Sequence, residues 1–326
     1  MDAIKRINLI SETGFAVEVI TFGGIITKIM AKNRNGFREN VVLAYETLED
    51  YFQNPLYLGC LIGPVAGRTS GGHINTEFFK IELDTRNHPN SLHSGDSGLH
   101  KVNWSIKRQA SDSVTLSYES LDSNQTTVSY EITYTVLSES LQIKYQASSS
   151  APTYLSLTNH TYFNLAGDSN KSIVNQTLAL KCSHFARLNL NSLPLELIPI
   201  DLSPLDLREP KMIGSILSSE HPDILTASGI DHPFKCVSGG PVATLTDHDS
   251  GRVMKTYTTQ NYVVVYTGNF LKAASSPSGV LFDNNTGICF ETQDLPDITN
   301  NHLDHYTVVT PKAPYNHMTE FAFSLT

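Results

Sequence analysis

Thr127-Val-Ser-Tyr-Glu-Ile-Thr-Tyr-Thr-Val136 alternates polar and apolar side chains from end to end. Successive side chains of a strand point to opposite faces, so this period of two predicts a strand with one face in a core and one in water. Comparable runs lie on either side, Val114-Thr-Leu-Ser-Tyr-Glu119 and Leu141-Gln-Ile-Lys-Tyr-Gln-Ala147. The linkers Asp122-Ser-Asn124 and Leu137-Ser-Glu-Ser140 are short and polar. Such a series reads as an antiparallel meander.

The pattern continues outward in both directions. Phe15–Phe22 alternates, Gly23-Gly24 bends the chain, and Ile25–Met30 resumes as a second strand. Asn33-Arg-Asn-Gly36 is a turn signal before the apolar run Val41–Ala44, and residues 46–58 read as a loop or short helical turn carrying Tyr51 and Tyr57. Tyr154–Thr158 has strand character, residues 170–215 give short strands punctuated by Pro194, Pro199, Pro204 and Pro210, and Arg252–Tyr266 is β-rich. Helical periodicity over ten or more residues is nearly absent. The expectation is an all-β chain, a large antiparallel β-sandwich with few short helices, forming a single domain over residues 1–326.

Composition narrows the function. The 326 residues are 40% hydrophobic and 17% charged, enough for a substantial core. A net charge of −9 argues against nucleic acid as a partner, which requires clustered Lys and Arg. No apolar run approaches the roughly 20 residues of a membrane-spanning helix. Met1-Asp-Ala-Ile-Lys-Arg6 precedes no apolar signal core, and Cys60, Cys182, Cys236 and Cys289 are scattered. Reduced thiols and a cytoplasmic location are expected.

Candidate chemistry gathers in separated stretches. Leu157-Thr-Asn-His-Thr-Tyr-Phe-Asn-Leu-Ala-Gly167 is dense in hydrogen-bonding groups between apolar neighbours. Buried polar groups must be paired, so such a cluster either holds a ligand or locks a network. His160 at its centre ordinarily titrates near neutral pH. Arg68 stands in Gly63-Pro-Val-Ala-Gly-Arg-Thr-Ser-Gly-Gly-His73, and His93 ends Asn87-His-Pro-Asn-Ser-Leu-His93. Glu291 interrupts the apolar strand pattern of Gly287-Ile-Cys-Phe-Glu-Thr-Gln293, and Asp231 lies in Gly229-Ile-Asp-His-Pro-Phe234. A carboxylate in a strand core has a raised pKa and suits general-base work. With no HExxH, cysteine quartet, P-loop or GxGxxG before a helix, neither a metal nor a nucleotide cofactor is expected. A pocket with acid, base, polar clamps and aromatics such as Trp104 and Phe163 suits a small polyhydroxylated ligand.

These stretches resemble the galactose mutarotase (aldose 1-epimerase) family. The resemblance rests on Pro89-Asn-Ser-Leu-His93, Leu157–Gly167, Gly229-Ile-Asp-His232, Tyr266-Thr-Gly-Asn-Phe270, Glu291-Thr-Gln293 with Pro296-Asp297, and Pro311-Lys-Ala-Pro-Tyr-Asn-His-Met-Thr319, in the family's order along nearly the whole chain. It implies a supersandwich holding a free sugar on a concave sheet, with no cofactor or metal. The α and β anomers of a hexose such as glucose or galactose would interconvert by ring opening, Glu291 acting as base and His160 as acid. It further implies that Arg68, His93 and Asp231 bind the sugar, and that His160 keeps its proton near neutral pH while burial raises Glu291. The chain would act as a monomer or homodimer.

Three positions depart from the family pattern. Pro64 stands where an arginine is common, Gly67 where a sugar-contacting asparagine is common, and Val264 where many members carry glutamine. Other readings on the same fold are a non-catalytic sugar-binding or regulatory protein and an epimerase for a phosphosugar or disaccharide. A glycosidase using Asp231 and Glu291 would leave His160 and His93 without a task.

Overall fold

The computed structural model describes residues 3–85, 89–121 and 125–326. The expected turn at Asp122–Asn124, and Asn87 and His88 of the second candidate stretch, lie outside the described residues.

The meander forms as the alternation predicts. Ser113–Leu121, Thr127–Leu137 and Ser140–Ser149 pair antiparallel in sequence order. In Thr127–Leu137 the buried side chains are Val128, Tyr130, Ile132, Tyr134 and Val136, while the threonines and Glu131 between them are partly exposed. The nine-stranded sheet continues through Tyr315–Leu325, Arg252–Thr258, Ala243–Thr246, Thr177–Leu180 and Lys211–Met212. Arg6–Ile10, Ala16–Ile20, Ile25–Lys32 and Arg38–Asn40 form a four-stranded sheet. Gly23 and Gly24 supply its bend in the left-handed region, where a Cβ on Gly24 would strike Leu61 at 2.4 Å.

A third sheet carries the site. Its six strands run Tyr162–Phe163, Ile288–Gln293, Tyr262–Tyr266, Asp231–Cys236, Cys182–Leu188 and Pro194–Pro199 in spatial order. Phe185, Phe234, Val263, Val265, Ile288 and Phe290 turn to one face and join the apolar cluster that includes Ile132, Tyr134, Ile143 and Phe321 of the large sheet. Phe163 contacts both sides, with ring centroids 4.7 Å from Phe321 and 6.2 Å from Phe290. This is sheet-on-sheet packing, and it leaves the opposite face of the six-stranded sheet for other use.

Among the described residues the α-helices are short, the longest being Pro222–Ala227, and no helix is long and apolar enough to cross a membrane. All four cysteines are free thiols. One strand expectation fails: of the run Tyr154–Thr158 only Thr158 lies in a ladder, Thr158–Asn159 against Leu61–Ile62. The rest is tied by a single bridge, Ser156 to Val65, and by the Leu157 N–H donating to the Tyr315 hydroxyl at 3.0 Å, with Thr153 just ahead of the run bridging Val309. A side chain takes the place of a neighbouring strand.

Candidate active site

Ile288–Gln293 is buried along its whole length. Ile288 and Phe290 enter the core, so alternation turns Cys289, Glu291 and Gln293 to the opposite face. Register then sets their neighbours. Glu291 lies opposite Val264, which lies opposite Pro233; two residues along, Cys289 lies opposite Tyr266, which lies opposite Asp231. Loops close over this face to leave a cleft of about 290 Å³.

The other groups come from loops held by backbone hydrogen bonds. His160 lies between Thr158–Asn159 and Tyr162–Phe163; its N–H donates to Cys60 O at 2.9 Å and its carbonyl accepts from the Gly59 N–H at 3.0 Å. Asn159 donates to the Gly59 and Cys60 carbonyls, and Asn164 to those of Asp168, Lys171 and Thr286. Most of the polar density around His160 is therefore the network that fixes its loop. His93 adopts φ 53° and Gly67 φ 78°. The two are joined by His93 N–H to Gly67 O at 2.9 Å and Gly67 N–H to His93 Nδ1 at 3.2 Å. A Cβ on Gly67 would lie 2.8 Å from Pro296, so Pro296 closes off the space a side chain there would need.

All five candidates, Arg68, His93, His160, Asp231 and Glu291, line this cleft. His160 Nε2 lies 3.7 Å from Glu291 Oε1, too long for a hydrogen bond. Glu291 Oε2 is buried with no hydrogen-bond partner. Across the cleft Arg68 Nη1 lies 3.8 Å from Asp231 Oδ2. Among the described residues lining the cleft, Arg68 is the one Lys or Arg side chain. The rings of His93 and His160 stand perpendicular at 5.3 Å, with Tyr57 beside both.

Protonation follows from burial. Desolvation, reinforced by the charge of Asp231 and opposed by Arg68, pushes Glu291 up to about 8. Desolvation pushes His160 down to about 4 and, with help from His160, Arg68 and His100, holds His93 well below its ordinary value. Burial thus works against the expectation that His160 keeps its proton near neutral pH and favours a proton on Glu291, because a neutral carboxyl costs less to bury than an imidazolium. His93 is neutral and its Nδ1 accepts from a backbone N–H, so Nε2 carries the proton and is a donor. Asp231 is also raised by burial, against the pull of Arg68.

Two aromatic expectations are corrected. Trp104 packs in the core beside Tyr118 and Tyr130, and Phe163 lies between sheets, so neither lines the cleft. The aromatic walls are Tyr57, Tyr162, Tyr266 and Phe270. Tyr266 and Phe270 stood in a motif already quoted, whereas Tyr57 lay in a loop without any pattern. His93, His160 and Glu291 also form a group that could hold a metal ion, their donor atoms all within 4.8 Å of one another.

Comparison with known proteins gives a consistent result. The family model described as aldose 1-epimerase matches residues 5–322. Galactose mutarotases from Bos taurus and Homo sapiens are each 34% identical over 318 residues, 95% of this chain and 91% of theirs. The aldose 1-epimerase of Haemophilus influenzae is 30% identical over 98% of this chain and 95% of its own. An aldose epimerase homologue from C. elegans superposes with a TM-score of 0.90 at 21% identity, covering 99% of this chain and all of the other. The galactose 1-epimerase of Lactobacillus acidophilus gives 0.87 at 24% identity, covering 99% and 95%. With the family model spanning nearly every residue, the chain belongs to the aldose 1-epimerase family and is a carbohydrate epimerase, an isomerase.

Proposed function

We propose that the protein interconverts the α and β anomers of a free aldose, with Glu291 as base and His160 as acid. The observation that carries this reading is the buried pair of His160 Nε2 and Glu291 Oε1, 3.7 Å apart, with one group near 4 and the other near 8. Between those values the pair holds a single proton: one site can give while the other can take. Mutarotation needs that count.

Burial alone favours the proton on Glu291, whereas the assigned roles need Glu291 ionised and His160 protonated; a sugar hydroxyl that donates to the carboxylate works in that direction. Glu291 then removes the anomeric O–H proton, the C1–O5 bond breaks as the C1 carbonyl forms, and His160 protonates O5. Rotation about C1–C2 presents the other carbonyl face, and the two groups reverse roles on closure. His93 Nε2–H donates to the ring oxygen, while Arg68 and Asp231 hold hydroxyls at the far end. Neither a metal nor a cofactor takes part, and the chain works as one domain. A phosphorylated sugar is not favoured, since among the described residues lining the cleft Arg68 is the one Lys or Arg and the carboxylate of Asp231 lies 3.8 Å from it.

The test is polarimetry on freshly dissolved α-glucose, α-galactose, α-xylose and α-maltose. The rotation should relax faster with protein than in buffer for at least one sugar; relaxation at the buffer rate for all four would end this reading.

A further inference from the structure

On the sheet face that carries Glu291, the cross-strand row that starts at its carboxyl continues through two apolar residues. Glu291, Val264 and Pro233 form one row across three adjacent strands, and all three line the cleft. Val263 and Val265 enter the core, and Val264 turns the other way, 8% exposed. Asp231 lies on the strand beyond Val264, two residues from Pro233. Adjacent strands stand about 4.8 Å apart, so a pyranose reaching from Glu291 to Asp231 lays one ring face over Val264. On the same strand the Tyr266 hydroxyl is tied to the Phe270 N–H at 3.1 Å.

That floor discriminates by hydroxyl direction. Apart from its anomeric hydroxyl, an all-equatorial pyranose presents only C–H bonds on either face, which suits a valine and a proline. An axial hydroxyl turned directly onto Val264 or Pro233 would lose its water against side chains that offer no hydrogen bond. We propose that Val264 makes the cleft selective for aldoses with no axial hydroxyl on the ring face laid against it, so that glucose and xylose are preferred over an epimer with an axial hydroxyl there. This rests on the epimerase reading above and adds the substrate class to it.

Galactose and allose test it, because each differs from glucose by one axial hydroxyl, at C4 on one ring face and at C3 on the other. Rates with the wild-type protein should put glucose and xylose together, with one of the two epimers lower in kcat/KM by about ten- to a hundredfold. Both epimers within about threefold of glucose would overturn the proposal. In Val264→Gln, and in the nearly isosteric Val264→Thr should the larger side chain prevent folding, the disfavoured epimer should gain on glucose by about fivefold or more. An unchanged ratio in a folded variant would likewise overturn it. Acceleration of no sugar at all would instead remove the epimerase reading, and this proposal with it.

Discussion

Thr127–Leu137 and Ile288–Gln293 are both central strands, yet they treat polar side chains in opposite ways. In the first, every second side chain is apolar and buried, and the polar ones between them stay partly in water. In the second all six side chains are buried, and the Glu291 carboxyl and the Gln293 amide each keep an oxygen without a partner. The first arrangement stabilises the fold. The second leaves an ionisable group desolvated, which is unfavourable for folding and is what gives the group a pKa near neutrality.

Damage on the two sides of this contrast should separate activity from stability. The largest effect is expected for Glu291→Gln and His160→Ala, each lowering kcat by about 10²–10⁴-fold with the fold intact, as read by polarimetry beside circular dichroism. Near-wild-type turnover in either variant would remove that residue from its role. Ile132→Ala, in the meander, should instead cost about 2–5 kcal/mol of unfolding free energy in a denaturant titration while kcat per folded molecule stays the same.

Next comes pH. The pair holds one proton between about 4 and about 8, so kcat/KM should be flat between these limits. Above about 8 Glu291 loses that proton and no acid remains, and below about 4 both groups are protonated and no base remains. A profile still rising through pH 8 would contradict the assignment. The same shift makes Glu291 a stability term with a definite sign. The folded chain keeps a proton that the unfolded chain has released between 4.5 and about 8, so wild-type stability falls as pH rises through that window. Glu291→Gln should remove this decline, melting above wild type at pH 8 by roughly 5 °C and by little or nothing near pH 5. The smallest expected effect is that of chelation: prior dialysis against EDTA should leave the mutarotation rate unchanged, and loss restored by a divalent cation would assign His93, His160 and Glu291 to a metal.

Much of this is legible in the amino-acid sequence. The alternation at 114–147 gave three strands, and the oddity of a carboxylate within Ile288–Gln293 marked Glu291, because an unpaired charge in an apolar run has few structural uses. The segment Tyr154–Thr158 misled for a physical reason: its composition suits a buried strand, but Tyr315 and isolated bridges, not a ladder, satisfy its backbone. Trp104 and Phe163 misled likewise, since an aromatic near a polar motif in sequence carries no information about which face it occupies.

What the sequence determined by itself is local and periodic: strand identity, the core face of each strand, and the residue types capable of proton transfer. Tertiary structure alone decided that Glu291 and His160 meet, that burial favours a proton on the carboxyl over one on the imidazole, and that Val264 lies beside them. The reason is that desolvation and cross-strand register arise between separate segments of the chain, and no period within one segment encodes them.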